Sequence, residues 1–251
     1  MAKRKAKPRR PPLPGADFAT LDDARLDAMA AAGAEVVECM RVLAKTGDNV
    51  VGEMLRGEGT FYEWNHYPEG DVYDHENHAQ YYYHAHPQEM RPGEHGHFHT
   101  FLRPRGMADG MKPVPLPDFV PPAGDNDALS HLIGISMNAY GVPIRLFTTN
   151  RWVTGEFWYA ASDVRAMLER FVIDQASPSW PANRWITAMV RLFGPQIALL
   201  LDARDAMVER WCAAYPGRNA YEDRALEITS TVDISVDDQI AAIAAEQARR
   251  G

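Results

Sequence analysis

Cysteine is almost missing from this 251-residue chain: Cys39 and Cys212 stand far apart, in segments that read as helices. Two isolated thiols exclude a disulfide framework, and with no thiolate beside the metal-ligating residue types below, a structural zinc finger or thiolate copper site is excluded too. Both read as small core residues, and a reducing cytoplasm is the expected compartment. Long apolar runs are also lacking: none approaches the roughly 18 residues of a membrane span. Basic charge is in deficit, with 26 Lys and Arg against 34 Asp and Glu and a net charge of −8. That balance argues against a general nucleic-acid binder. Cys-x-x-Cys, His-Glu-x-x-His, a phosphate loop and a Gly-x-Ser-x-Gly elbow are all absent. The histidines of "HENH" at 75–78 are only three apart, and Gly57-Glu-Gly59 lacks the third glycine of a dinucleotide fingerprint.

One segment reverses the charge balance. "MAKRKAKPRR" carries six basic side chains and runs into "PPLPG". Such a block cannot bury apolar surface, so residues 1–16 are expected to be a disordered basic tail and residues 17–251 one domain. The tail is either merely solvated or docks on an acidic partner or nucleic acid. No apolar stretch follows its charges, which excludes a secretory signal.

What is there otherwise is ordinary for a globular protein, 46% hydrophobic and 24% charged. Leu26, Met29, Gly33, Val36, Met40 and Leu43 recur at helical spacing after Thr20, a candidate cap. Gly47 can stop that helix, and Asp48 can cap a shorter one through Val51, Met54 and Leu55. From Gly59 the signal changes to strands: "TFYEWNHY", "AQYYYHAH", "HGHFHTFL", then a pair flanking Gly141, with Pro143 at a strand start. "RALEITSTVDIS" is the last strand. Ser162 can cap a helix, Gly194-Pro195 splits two more, and Ser235 opens a terminal one. Strands in the middle with helices at the N-terminus and in the C-terminal half predict an α+β fold, a mainly antiparallel sheet of about five or six strands. Residues 103–129 hold six prolines and read as a long loop that wraps a surface or covers a site.

The conspicuous feature is histidine. Five of the nine fall within sixteen positions, as His84-x-His86 and His95-x-His97-x-His99. In a strand, alternate residues share a face. If His86 lies opposite His95, then His84 faces His97 and Tyr82 faces His99, and four imidazoles converge within reach of one ion. The other face then carries Tyr83 against Phe98. A one-residue slip would send the two histidine sets to opposite faces and abolish the site. The apolar pattern favours the first register, with Phe101 on the histidine side. The expected ligands are His84, His86, His95 and His97, with His99 as the alternate.

Neutral imidazole suits Zn, Fe or Cu. Three histidines with an open position would be catalytic in character, and four a closed structural or storage site. Glu94, next to the His95 run, can orient an imidazole or supply an oxygen ligand. In an enzyme, Tyr82 or Glu94 would move protons while the metal activates water or dioxygen toward a small substrate. The rivals are a non-enzymatic metal-handling or assembly protein, a metal-free acid/base or ligand-binding role, and a polar strand face without metal. His131 reads as a hydrogen-bonded strand-start residue or a further ligand. His66, His75 and His78 sit in an acidic, turn-rich stretch, as solvated residues or as a rim to the site.

"RLFTTNRWVTGEFWY" mixes Arg145, Arg151 and Glu156 with Phe147, Trp152, Phe157 and Trp158, as an anchored strand end or as a site for an anionic or planar ligand. Together with "EHGHFHTF" it resembles an uncharacterised bacterial family known as a domain of unknown function. The resemblance spans residues 20–245 and implies a cytoplasmic bacterial protein, with no activity, cofactor or catalytic residue attached. The H-x-H pairs are similar to those of cupins, but the spaced glutamate is missing, so the likeness supports only strand-borne ligation.

Overall fold

The computed structural model describes residues 15–116 and 120–251. Residues 1–14 of the expected basic tail lie outside them. Among the described residues, six strands form one sheet in chain order, each antiparallel to the next. They are β1 (Tyr67–Tyr73), β2 (Ala79–His84), β3 (Gly96–Leu102), β4 (Ser130–Met137), β5 (Pro143–Thr149) and β6 (Ile228–Asp233). The helices are α1 (Asp23–Ala44) and α2 (Val50–Leu55) before the sheet, then α3 (Arg151–Thr154), α4 (Ala161–Leu168), α5 (Trp180–Leu192), α6 (Gly194–Ala214) and α7 (Val236–Arg250). This is the α+β arrangement read from the sequence.

One face of the sheet packs on the helices. Tyr81, Tyr83, Phe98, Ile133, Ile135 and Leu146 point into it and join residues of α1, α4, α5 and α6 in the main core. Phe98 meets Trp185 of α5 at 5.4 Å between ring centroids. The Tyr81 hydroxyl donates to Asn183 Oδ1 at 2.6 Å. Every residue of β2, β3 and β4 is buried, so the second face is covered as well. An antiparallel sheet often leaves one face to water, with polar residues on it. Here the polar face is enclosed, and the histidines stand on it with Gln80 and Ser136.

Several local expectations shift. The N-cap of α1 is Asp22, accepting from the Arg25 N–H, and Thr20 falls in a short 3-10 turn instead. Asn49, not Asp48, caps α2. α4 starts at Ala161 without a side-chain cap, and Asp205 of α6 accepts the Ala161 N–H at 2.8 Å. Ser235 caps α7 as read. "TFYEWNHY" is not a strand apart from Tyr67: Gly57, Gly59 and Trp64 adopt positive φ, which breaks extended pairing. β1 follows it, with an irregular register between Tyr67 and Val72. Pro68, Glu69 and Gly70 disguise that strand in the sequence. Cys39 is buried in α1 but Cys212 is exposed on α6, so only one of the two is a core residue.

No single helix among the described residues is long and apolar enough to cross a membrane. α5 and α6 pass that test only jointly, and they meet at a 70° bend.

Candidate metal centre

β2 and β3 pair in the favoured register: His84 opposite His97, Tyr83 opposite Phe98 and Tyr82 opposite His99. His84, His97 and His99 therefore stand on one face, buried, each offering a ligand atom within 4.8 Å of the others. This triad can hold a metal ion. His84 Nε2 and His97 Nε2 lie 2.7 Å apart. Nitrogens around a tetrahedral ion lie about 3.3 Å apart, so a small outward rotation admits one.

Glu94 decides the tautomer of His97. Its Oε1 accepts from His97 Nδ1–H at 2.6 Å, which leaves the Nε2 lone pair facing His84. A carboxylate on the far nitrogen is the usual way of orienting a ligating imidazole. His99 is arranged similarly through its neighbour. Its Nδ1 lies 2.9 Å from His131 Nε2, while its Nε2 is buried with no hydrogen-bond partner. A buried unsatisfied nitrogen is costly and calls for an explanation, and an ion at this point supplies one.

Burial drives the electrostatics. It pushes His84 down to about 3 and His131 to about 3, and holds His97 and His99 well below the ordinary histidine value. The neighbouring imidazoles and Arg91 add repulsion at His84, His97 and His99. All four are neutral at pH 7, the form that ligates. Burial raises the Glu94 carboxyl, against the lowering effect of Ser136 and Arg91.

The remaining candidates divide. β2 ends at His84, so His86 lies on the loop beyond it. Its ring still stacks on His97 at 5.2 Å and meets His84 edge-on at 4.9 Å, and both of its nitrogens are buried without partners. His95 does not join the group. The predicted His86–His95 pair is not made, because β3 begins at Gly96 and strand alternation does not extend to residue 95. The His95 ring lies instead by Tyr83, whose hydroxyl is 2.6 Å from Nδ1, and stacks on Phe61. His99, the expected alternate, takes its place in the triad. Tyr82 is buried on the histidine face, 5.3 Å from His99 and 5.6 Å from Phe101 by ring centroids. Burial raises its hydroxyl above the ordinary phenol value.

His131, read chiefly as a lone strand-start residue, is fully buried beside His99. The bulge between Thr100 and Phe101 places it opposite Phe101. Glu156 accepts its backbone N–H at 2.7 Å, and burial pushes that carboxyl up to about 7. The signal in the sequence was the alternation of β4, but the bulge that sets its side is invisible there. His66 is the rim: it stacks on Tyr82 at 3.6 Å, and its Nδ1 lies 3.0 Å from Asp71 Oδ1. His75 and His78 gather at Tyr73, at the other end of β2 from His84.

Among the described residues, the hydrogen bonds of the proline-rich segment do not reach the buried histidines of the triad: the Arg103 N–H donates to the His78 carbonyl. The Val114 N–H donates to the Trp158 carbonyl, and Val114 and Leu116 pack on a second small core with Trp158, Met207 and Trp211. The connection from β2 to β3 does cover them, through His86, Arg91 and Glu94. Arg91 pairs with Glu227 at 2.6 Å and lies over the Phe147 ring at 5.0 Å. In the aromatic stretch after Ile144, the local Arg–Glu pair does not form: Arg145 bonds Asp233 and Arg151 bonds Glu222.

Residues 30–234 match a family described as a domain of unknown function, DUF6969. The chain belongs to this family. The DUF6969 span takes in the whole sheet and all nine histidines, so the centre lies within what defines the family. No curated protein and no solved structure matches the chain. Membership brings no chemistry with it.

Proposed function

We propose that this DUF6969 member is a metalloenzyme that holds one Zn, Fe or Cu ion on His84, His97 and His99 and acts on a small molecule. What carries the reading is the buried, partnerless His99 Nε2, in a triad whose ligand atoms all lie within 4.8 Å of one another. When bound by three imidazoles with a position left open, such an ion polarises water or dioxygen. Glu94 keeps His97 in its ligating tautomer and is one candidate for proton transfer. Tyr82 is the other, its ring against His99 and His66. The surrounding aromatic rings exclude bulk water, which strengthens every electrostatic interaction inside.

The test is the metal content of untagged protein by elemental analysis, for wild type, His97→Ala and His95→Ala. One ion per chain is expected in wild type and in His95→Ala, since residue 95 points elsewhere, and little in His97→Ala. Sub-stoichiometric metal that His97→Ala leaves unchanged would sink the proposal.

A metal-handling role has one observation in its favour. His86, with two partnerless nitrogens beside the triad, would close a four-imidazole sphere. His86→Ala distinguishes the two readings: a handling protein loses most of its affinity, whereas a three-ligand enzyme keeps its ion. The basic residues at the N-terminus fit a docking role on an acidic partner, by charge alone.

A further inference from the structure

Beside the histidines lies a cleft of about 620 Å³, in the size range of small-molecule sites. Phe147 forms part of its wall, and the same ring touches His97 at 5.1 Å and His99 at 5.7 Å. Arg91 lines it too and comes within 3.9 Å of Glu94, the carboxylate on His97. The cleft and the centre thus share two side chains.

Its charged lining is two ion pairs, Arg91–Glu227 at 2.6 Å and Arg145–Asp233 at 2.8 Å, and Thr231 is polar as well. In each, the arginine is the more enclosed partner. Arg91 is 13% exposed against 33% for Glu227, and Arg145 36% against 80% for Asp233. Each carboxylate keeps more contact with water than its arginine does, so a ligand anion can displace either carboxylate into solvent. Met207, Trp211, Leu226 and Ile228 make the rest of the lining largely apolar.

We infer that this cleft binds a small monocarboxylate with an apolar or aromatic body, its carboxylate on the Arg91 guanidinium. The planar guanidinium offers two parallel N–H donors, which match a carboxylate better than an ammonium would. The two acidic side chains already balance the two arginines. A monoanion keeps that balance by displacing Glu227 alone into water, whereas a phosphate dianion would have to open both ion pairs. The cation–π contact of Arg91 on Phe147 fixes the donor plane at the edge nearest the histidines. If the metal reading above holds, this is the substrate site, but binding to Arg91 does not require the ion.

The experiment is isothermal titration of the full chain, metal-stripped and metal-loaded, with 3-phenylpropionate, its amide and inorganic phosphate. Saturable one-to-one binding of the acid is expected in both forms, with the amide at least about tenfold weaker and phosphate not binding. Arg91→Lys should weaken acid binding several-fold. Glu227→Gln should tighten it, because it removes the competing carboxylate, and misfolding cannot produce a gain. Acid and amide that bind alike, no saturable binding of the acid, or a Glu227→Gln variant that binds no tighter would overturn the inference. Failure here with one ion per chain intact would leave the metal reading standing. The reverse result would leave a carboxylate site without a metal.

Discussion

Two imidazoles of the triad are set by a partner outside it, His97 by Glu94 and His99 by His131, and the partner's chemistry says what its removal does. Glu94 accepts from His97 Nδ1, so Glu94→Gln keeps a hydrogen-bonding side chain but loses the charge that raises the basicity of the ligand nitrogen. Metal affinity should fall about 10- to 100-fold, read by competition with a chromophoric chelator. An unchanged affinity would mean Glu94 only packs. Which histidines matter was partly legible: alternation put His84, His97 and His99 on one face, and their aromatic neighbours Tyr82 and Phe101 with them. His95 was misread because parity was carried one residue past the strand. His131 was undervalued because its approach to His99 depends on a bulge that no local pattern encodes.

At the scale of elements, the centre depends on β2 and β3 staying in register at the end joined by the 85–95 connection. Gly96 starts β3 there, and a methyl group at that position would sit 2.6 Å from the His84 carbonyl oxygen and overlap the Tyr83 ring. Backbone cannot yield as a flexible side chain can. Gly96→Ala should therefore destabilise the protein by about 1–3 kcal/mol in urea titrations, and lower metal occupancy by pushing His84 off His97. Full stability with full occupancy would show that the strand end adapts freely. Gly134 plays a comparable part under Phe147, the ring shared by the cleft and the centre. The order of strands and the long central helices could be read from hydrophobic period and Gly or Pro punctuation. The caps were less legible, since neighbouring Thr, Asp and Asn residues compete for one position and only packing chooses between them.

For the whole molecule, the buried imidazoles tie stability to pH. His84 and His131 sit near 3, His86 near 4, and His97 and His99 well below their ordinary value. Unfolded, each binds a proton near pH 6.5, so their contribution is present above that pH and is lost as pH falls toward the folded values. Each adds up to about 1.4 kcal/mol per pH unit of decline. Glu156, raised to about 7, acts in the other direction: its contribution is present below its unfolded value and is lost as pH rises through about 7. Glu94, also raised by burial, acts with it, and His95, also lowered, joins the other five imidazoles; two carboxylates oppose six histidines, so the histidines win. Metal-stripped protein should lose stability steeply between about pH 6.5 and pH 5, with only a slight decline near neutrality, followed by urea midpoints. A flat profile across that range would mean the histidines are solvated when the metal is absent.

The sequence by itself determined the class of fold, the strands that carry histidine and the pairing of His84 with His97, because side-chain alternation and aromatic patterning are local and periodic. Tertiary structure alone decided which other histidines join them. Strand ends, a bulge and the return of the 85–95 connection over the sheet are set by long-range packing, and these place His131 inside and His95 outside. It also decided that the polar face is enclosed and flanked by a charged cleft, since enclosure is a property of what packs on a surface and not of the residues that form it.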